Sequence, residues 1–229
     1  MSSVFSQWFG RALQFYGSGS AVVTHSSMTL IFPLTIEAWV RLDSYIPSGN
    51  RYIYRFNSGS FRPQVFITTG LNLVGVVTNG GCGTYVATTS NFPITLGVRT
   101  HVAMTHPSSS VVNLYINGVF AGTGGGGGGL NCTAASTYIG SDTTGTAWFP
   151  GVIDKVRVSN FARYTGDFVP AASPFTSDRN TRLLVHFDNL NSADPTENAA
   201  PLNSEDCPGC SYPILTVTNG PFSIVSPFT

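Results

Sequence analysis

The residues of this 229-residue chain best equipped for chemistry are its acids, histidines and cysteines, and their spacing limits what each can do. Cleavage of a glycosidic bond needs two carboxyl groups about 5 to 10 Å apart. On a strand that means acids at alternate positions, since every second side chain shares a face. Glu37 is isolated, flanked by Ile36 and Ala38, and Asp154 is followed by Lys155 and Val156. The adjacent pair Glu205-Asp206 points to both sides of any strand. Glu37 and Asp154 therefore read as polar groups that fix neighbouring backbone or an arginine. His25, His101, His106 and His186 are scattered, and no serine carries a G-x-S-x-G nucleophile signature. The reading is non-catalytic.

Cysteines give no metal framework. Cys207 and Cys210 form a C-x-x-C, while Cys82 and Cys132 have no partner at ligand spacing, and zinc ribbons need two such pairs. A local disulfide or free thiols suit Cys207 and Cys210. Cys82 and Cys132, both in glycine-rich turns, bridge only if their strands are neighbours in an oxidising compartment. The six glycines 124–129 read as a flexible loop; no Lys-Ser/Thr pair opening a helix follows them, so they are not a phosphate cradle. Asn131-Cys132-Thr133 matches a glycosylation sequon, relevant only in a secretory pathway.

Composition narrows the class further. Charged residues make up 10% of the chain, against about 25% in ordinary soluble domains. Hydrophobic residues reach 42%, so a core can form. Net charge is zero and Lys155 is the single lysine, which leaves no basic stripe for nucleic acid. No window approaches the roughly 18 apolar residues of a membrane span. Met1 to Gly10 lacks a basic segment followed by an apolar one, so no secretory signal is expected there.

Short alternating segments closed by Gly, Asn or Pro recur along the whole chain, which predicts strands and a sandwich. Leu34 to Leu42 places Ile36, Ala38 and Val40 on one face and Glu37, Trp39 and Arg41 on the other. Asn117-Gly118 suits a type I′ turn and predicts a hairpin joining Leu114-Tyr115-Ile116 to Val119-Phe120. A short helical turn is expected only over Asn160 to Tyr164.

Four of these segments carry a family resemblance, in order. They are Ala12-Leu13-Gln14-Phe15, then Thr35-Ile36-Glu37-Ala38-Trp39-Val40, then His101-Val102-Ala103 leading to Leu114 through Gly118. The fourth is Tyr138-Ile139-Gly140 with Phe149 through Val158. Over residues 11 to 164 the chain resembles the laminin-G-like/pentraxin-like domain of the concanavalin A-like lectin/glucanase class. The resemblance implies an all-β, antiparallel two-sheet jelly-roll sandwich with recognition loops at its rims. It also implies a strand role for His101, packed and hydrogen-bonded. Where the family usually has a second acid after Asp154, this chain has Lys155 and Val156.

Family members often hold calcium at a rim, and calcium takes six to eight oxygens. Asp43, Asn50 and Asp142 are the candidate suppliers here, with turn capping as the alternative. No other cofactor is implied. Sugar recognition combines ring platforms with planar polar groups; Tyr45, Tyr85 and Trp148 are the candidate platforms, with Tyr52 and Tyr54 also considered. The run Tyr164 to Phe168, leading to Leu183-Leu184-Val185-His186-Phe187-Asp188, is similar to linkers of bacteriophage structural and surface proteins that carry these domains.

The expected organisation is a sandwich over 11–188, its return strand 183–187 pairing beside Leu13–Phe15. Residues 189–229 would follow as an irregular, Pro-rich, extended C-terminal arm. A structural or attachment subunit of an extracellular assembly, above all a virion, is the expected role. Its partners would be other subunits, met through sheet edges and the arm, and surface glycans, without nucleic acid or membrane insertion. The alternative is a free-standing glycan-binding module, with or without calcium.

Overall fold

A computed structural model describes residues 12–16, 20–45, 48–57, 63–79, 84–109, 111–125, 131–142, 147–187, 214–218 and 222–225. The described secondary structure is all strand. Sheet A holds β1 (Ala12–Tyr16), β3 (Leu34–Leu42), β8 (Thr100–Ser108), β9 (Val111–Ile116), β10 (Val119–Gly125), β12 (Pro150–Ser159), β13 (Thr181–Val185) and β15 (Phe222–Val225). Sheet B holds β2 (Ser20–Ile31), β4 (Arg51–Phe56), β5 (Gln64–Ile67), β6 (Asn72–Asn79), β7 (Thr84–Pro93), β11 (Asn131–Ile139) and β14 (Ile214–Thr218). Across sheet A the order is β10-β9-β8-β3-β12-β1-β15, and across sheet B it is β14-β2-β11-β4-β5-β6-β7. Every pairing is antiparallel, giving the two-sheet jelly roll that alternation and the four segments imply.

The core forms where the alternating faces meet. Leu34, Ile36, Ala38, Val40 and Leu42 of β3 point inward beside Phe15, Phe56, Met104, Leu114 and Ile153. β3 also buries its other face, so Glu37 and Trp39 are removed from water although they point away from this core. A second, smaller cluster of Ala12, Trp39, Val152, Phe175 and Leu184 lies on that outer side.

What covers the outer side is the stretch from 160 to 180, which has no helix or strand. It leaves β12 beside Thr35, whose hydroxyl donates to the Phe161 carbonyl at 2.6 Å. It runs to the Asn117-Gly118 hairpin, where the Phe168 amide donates to the Gly118 carbonyl at 2.9 Å. It then returns to β13, whose Thr181 stands opposite Ser159. The helical turn expected over 160–164 is absent, because these residues spend their polar groups on β3 and β12 rather than on one another.

Two expectations about the C-terminal third change. Leu183–Phe187 does not pair with the Leu13–Phe15 strand; β13 pairs Val156 to Ser159 of β12, end to end with β1, which pairs Pro150 to Ile153. The handover falls at Lys155, whose φ of 49° marks a bulge in β12. Leu183 and Val185 face the main core while Leu184 joins the outer cluster, so β13 needs a place inside the sheet. The strand that does lie beside β1 is β15. Strand pairing therefore reaches into 189–229: β15 extends sheet A and β14 extends sheet B along β2, on the chain's own edges. Residues 188–213 lie outside the described residues.

Asn117 and Gly118 have φ of 52° and 80°, as the expected type I′ turn requires. Gly118 also lies directly under the Phe168 carbonyl, where a Cβ would overlap the oxygen. Gly118→Ala is expected to cost about 2 kcal/mol or more, combining positive-φ strain with displacement of the covering stretch. Urea denaturation of the variant measures this.

Candidate functional site

Glu37 is a densely bonded side chain of the outer face. Its Oε2 accepts from His101 Nε2 at 3.1 Å and from the Tyr164 hydroxyl at 2.7 Å. Its Oε1 accepts from Arg157, Nε at 2.8 Å and Nη2 at 2.7 Å, and Arg163 Nε stands 3.9 Å away. Burial pushes the Glu37 carboxyl up, but His101, Arg157 and Tyr164 outweigh it and hold the group below its ordinary value. Burial and the neighbouring Glu37 charge push the Tyr164 phenol well above the usual tyrosine range. A carboxylate so engaged and so enclosed reaches no substrate, which agrees with the structural role expected for Glu37.

The remaining polar groups serve the same closure. His101 is fully buried, ringed by Trp39, Phe168, Phe175 and Tyr164 at centroid distances of 5.1, 5.6, 5.9 and 6.3 Å. Arg163 binds Asp178 through two 2.9 Å contacts, tying the two legs of the covering stretch together. That guanidinium is the main cause holding the Asp178 carboxyl at about 2. Asp154 and Lys155 are both fully buried, 3.2 Å apart, and Lys155 Nζ donates to the His186 carbonyl at 2.9 Å. Asp154 is thus a structural acid too.

Two loops at one end of the sandwich carry most of the remaining candidate residues. Asp43 to Asn50 joins β3 to β4, and Gly140 to Phe149 joins β11 to β12. The Asp43 amide donates to the Pro150 carbonyl at 2.9 Å, and the Gly140 amide to the Ile53 carbonyl at 3.2 Å. These bonds bring the two loops out of the sheets side by side. Tyr45 on the first loop is 63% exposed, and Trp148 on the second is half-buried. Asp43, Asn50 and Asp142 stand on the same two loops.

The oxygens of Asp43 and Asp142 already have partners. Asp43 accepts from Arg41 at 2.6 and 3.2 Å and from Gln14 at 3.1 Å, so a cation already occupies it. Asp142 Oδ1 takes the Ala147 amide at 3.4 Å, a turn-capping contact. The described residues contain no group of three or more acids, histidines or cysteines able to hold a metal.

Other candidates separate plainly. Tyr54 is fully buried in the core and Tyr52 packs on Phe66 at 5.2 Å with Arg55 over its ring, so neither offers a free ring face. The side chain of Tyr85 lies outside the described residues, as do Cys82, Cys207, Cys210 and the side chain of Cys132. The Arg157–Glu37–Tyr164 contacts were not foreseen individually. The signal in the sequence was Glu37 itself, an isolated acid beside Trp39 on one face of β3.

Two outcomes are expected from this network. Glu37→Gln, which leaves Arg157 buried without its counter-charge, should cost about 3 kcal/mol or more. Hydrogen exchange should rise first across 160–180. Acid should act in two ranges. His106 donates from Nδ1 to the Val111 carbonyl at 2.8 Å, and burial holds its pKa below 6.5. The unfolded chain then binds this proton first, so the His106 contribution is complete above pH 6.5 and declines below it. Glu37 and Asp178 have lowered values, so their contribution holds above the ordinary values of 4.5 and 3.8 and is lost as pH falls through the folded ones. Thermal melts against pH should show both ranges, and His106→Gln should remove the upper one.

Residues 16–166, more than half of the chain, match the family model of the concanavalin A-like lectin/glucanases superfamily. No curated protein matches significantly. Among solved structures, a candidate carbohydrate binding protein from Bacteroides ovatus superposes with a TM-score of 0.62 at 16% identity, over 96% of this chain and 60% of that one. The heptameric SAP-like pentraxin of Limulus polyphemus gives 0.52 at 15% identity, over 71% and 80%. Domains LG4-5 of the mouse laminin alpha1 chain give 0.53 at 16%, over 74% and 48%. The chain thus spans less than two thirds of the Bacteroides and laminin structures, and at these identities the likeness establishes fold. The chain belongs to the concanavalin A-like lectin/glucanases superfamily, as a laminin-G/pentraxin-like jelly roll.

Proposed function

We propose that the chain is a non-catalytic, lectin-like domain that binds saccharide at the end carrying the β3–β4 and β11–β12 loops. The observation that carries this reading is Tyr45, 63% exposed, on a loop held beside the one bearing Trp148. Two aromatic platforms supply ring faces for a pyranose, and Asn50 on the first loop supplies a polar group for its hydroxyls. Membership of the concanavalin A-like lectin/glucanases superfamily and the carbohydrate binding description of the Bacteroides neighbour support it. The acid most central to sheet A, Glu37, is consumed by structural bonds, which speaks against hydrolysis there.

A second reading places the domain on an extracellular assembly, as an attachment or decoration subunit of a virion. It is favoured by the 10% charge content and by the phage-like run from Tyr164 to Asp188. Electron microscopy of the native particle tests it; particles lacking this density would rule it out.

Glycan-array screening followed by calorimetry tests the first reading. Tyr45→Ala and Trp148→Ala should each weaken binding of the retained glycan at least about tenfold, a loss of about 1.4 kcal/mol, with unchanged melting temperature. Binding should survive chelation of calcium. A chain silent on every glycan, or one whose binding ignores both substitutions, would contradict it.

A further inference from the structure

Arg51, at the end proposed for saccharide, is a cation without a counter-charge among the described residues. It opens β4, directly after the loop that bears Tyr45 and Asn50. Its only hydrogen bond among the described residues runs from Nη1 to the Asn50 carbonyl at 3.1 Å. None of its nitrogens is buried without a partner, so its other N–H groups open to solvent. The side chain is half-buried, and burial pushes the guanidinium below its usual value with no carboxylate opposing the effect.

Other arginines of the sandwich are engaged. Arg41 binds Asp43 at 2.6 Å, Arg157 binds Glu37 at 2.7 Å and Arg163 binds Asp178 at 2.9 Å. Arg55 and Arg99 lie over the rings of Tyr52 and Trp39. The two acids of the end loops do not serve Arg51: Asp43 holds Arg41, and Asp142 Oδ1 caps the Ala147 amide of its own loop. The parts of these loops outside the described residues are Ile46, Pro47 and Thr143-Thr144-Gly145-Thr146, none of them acidic.

Topology sets Arg51 between the two loops. On one side it stands opposite Ile67 of β5. On the other, β11 pairs Ile139 with Tyr54 and the Gly140 amide donates to the Ile53 carbonyl, so the Trp148 loop leaves β11 beside β4. Gly49, at φ 73°, brings the Tyr45 loop against the guanidinium, where a Cβ would stand 3.6 Å from Nη1.

We infer that the saccharide bound at this end carries a carboxylate and that Arg51 holds it. The inference rests on the reading of this end as a glycan site. A half-buried charge is costly without a partner, and a ligand carboxylate supplies one. The guanidinium presents parallel N–H donors in a fixed fork that a carboxylate accepts two at a time. Ring platforms on the flanking loops orient the sugar that bears it. A neutral sugar laid over Arg51 would displace its water and leave the charge uncompensated. Sialic and uronic acids have the chemistry required, an ionised carboxylate on a pyranose ring.

An array of sialylated, uronate-bearing, sulfated and neutral glycans, screened with the full chain, tests this. The glycans retained should carry a carboxylate, and methyl esterification of a retained glycan should raise its Kd at least about tenfold. Arg51→Gln should raise the Kd of the carboxylated glycan by a similar factor and leave that of its methyl ester unchanged. Its melting temperature should hold or rise, because no ion pair is lost. Arg51→Lys, which keeps the charge without the fork, should bind between the two. Retention of neutral or only sulfated glycans overturns the inference and leaves the glycan site standing. So does an Arg51→Gln chain that binds the carboxylated glycan as the wild type does. A chain silent on every glycan overturns the saccharide site itself, and this inference with it.

Discussion

The fold of sheet A depends on keeping a carboxylate out of water. A buried charge is costly unless it is paired and hydrogen-bonded, and Glu37 has no neighbour in sequence to do this. Its partners come from β8 (His101), from β12 (Arg157) and from the covering stretch (Tyr164). The covering stretch therefore has a fixed path despite lacking helix or strand. Trp39, Phe175 and Leu184 then close over the outer face as a second apolar layer.

That closure occupies the outer face of sheet A: residues 160–180 cover it and Glu37 is fully engaged. At one end of the sandwich loops leave the sheets, and most of the exposed large hydrophobics among the described residues collect there. The same end divides by chemistry: rings on the β3–β4 and β11–β12 loops, aliphatic and phenylalanine side chains at the β7–β10 corner.

Sequence made some of this legible and hid the rest for physical reasons. Period-two alternation in 34–42 and Asn117-Gly118 are local signals, and both describe the structure well. Four ordered segments sufficed for the family. Glu37, by contrast, meets partners 64, 120 and 127 residues away, a separation that no local pattern encodes. The path of 160–180 is set by bonds to other strands, so it has no period to read. Alternation marked 183–185 as a strand but not its partner, because the bulge at Lys155 shares one edge of β12 between two strands. The Pro-rich composition of 189–229 suggested an arm and masked the strands 214–218 and 222–225.

The central claim is that recognition belongs to the end loops and the Glu37 network belongs to the fold. Amide and side-chain NMR shifts, followed while a retained glycan is titrated into the isotope-labelled chain, test it most directly. The account predicts that shifts concentrate at 43–50 and 140–149, with the indole of Trp148 among the largest, while His101 and Tyr164 stay still. Shifts centred on His101, Arg157 and Tyr164 would contradict it, because they would place the ligand on the face that residues 160–180 cover.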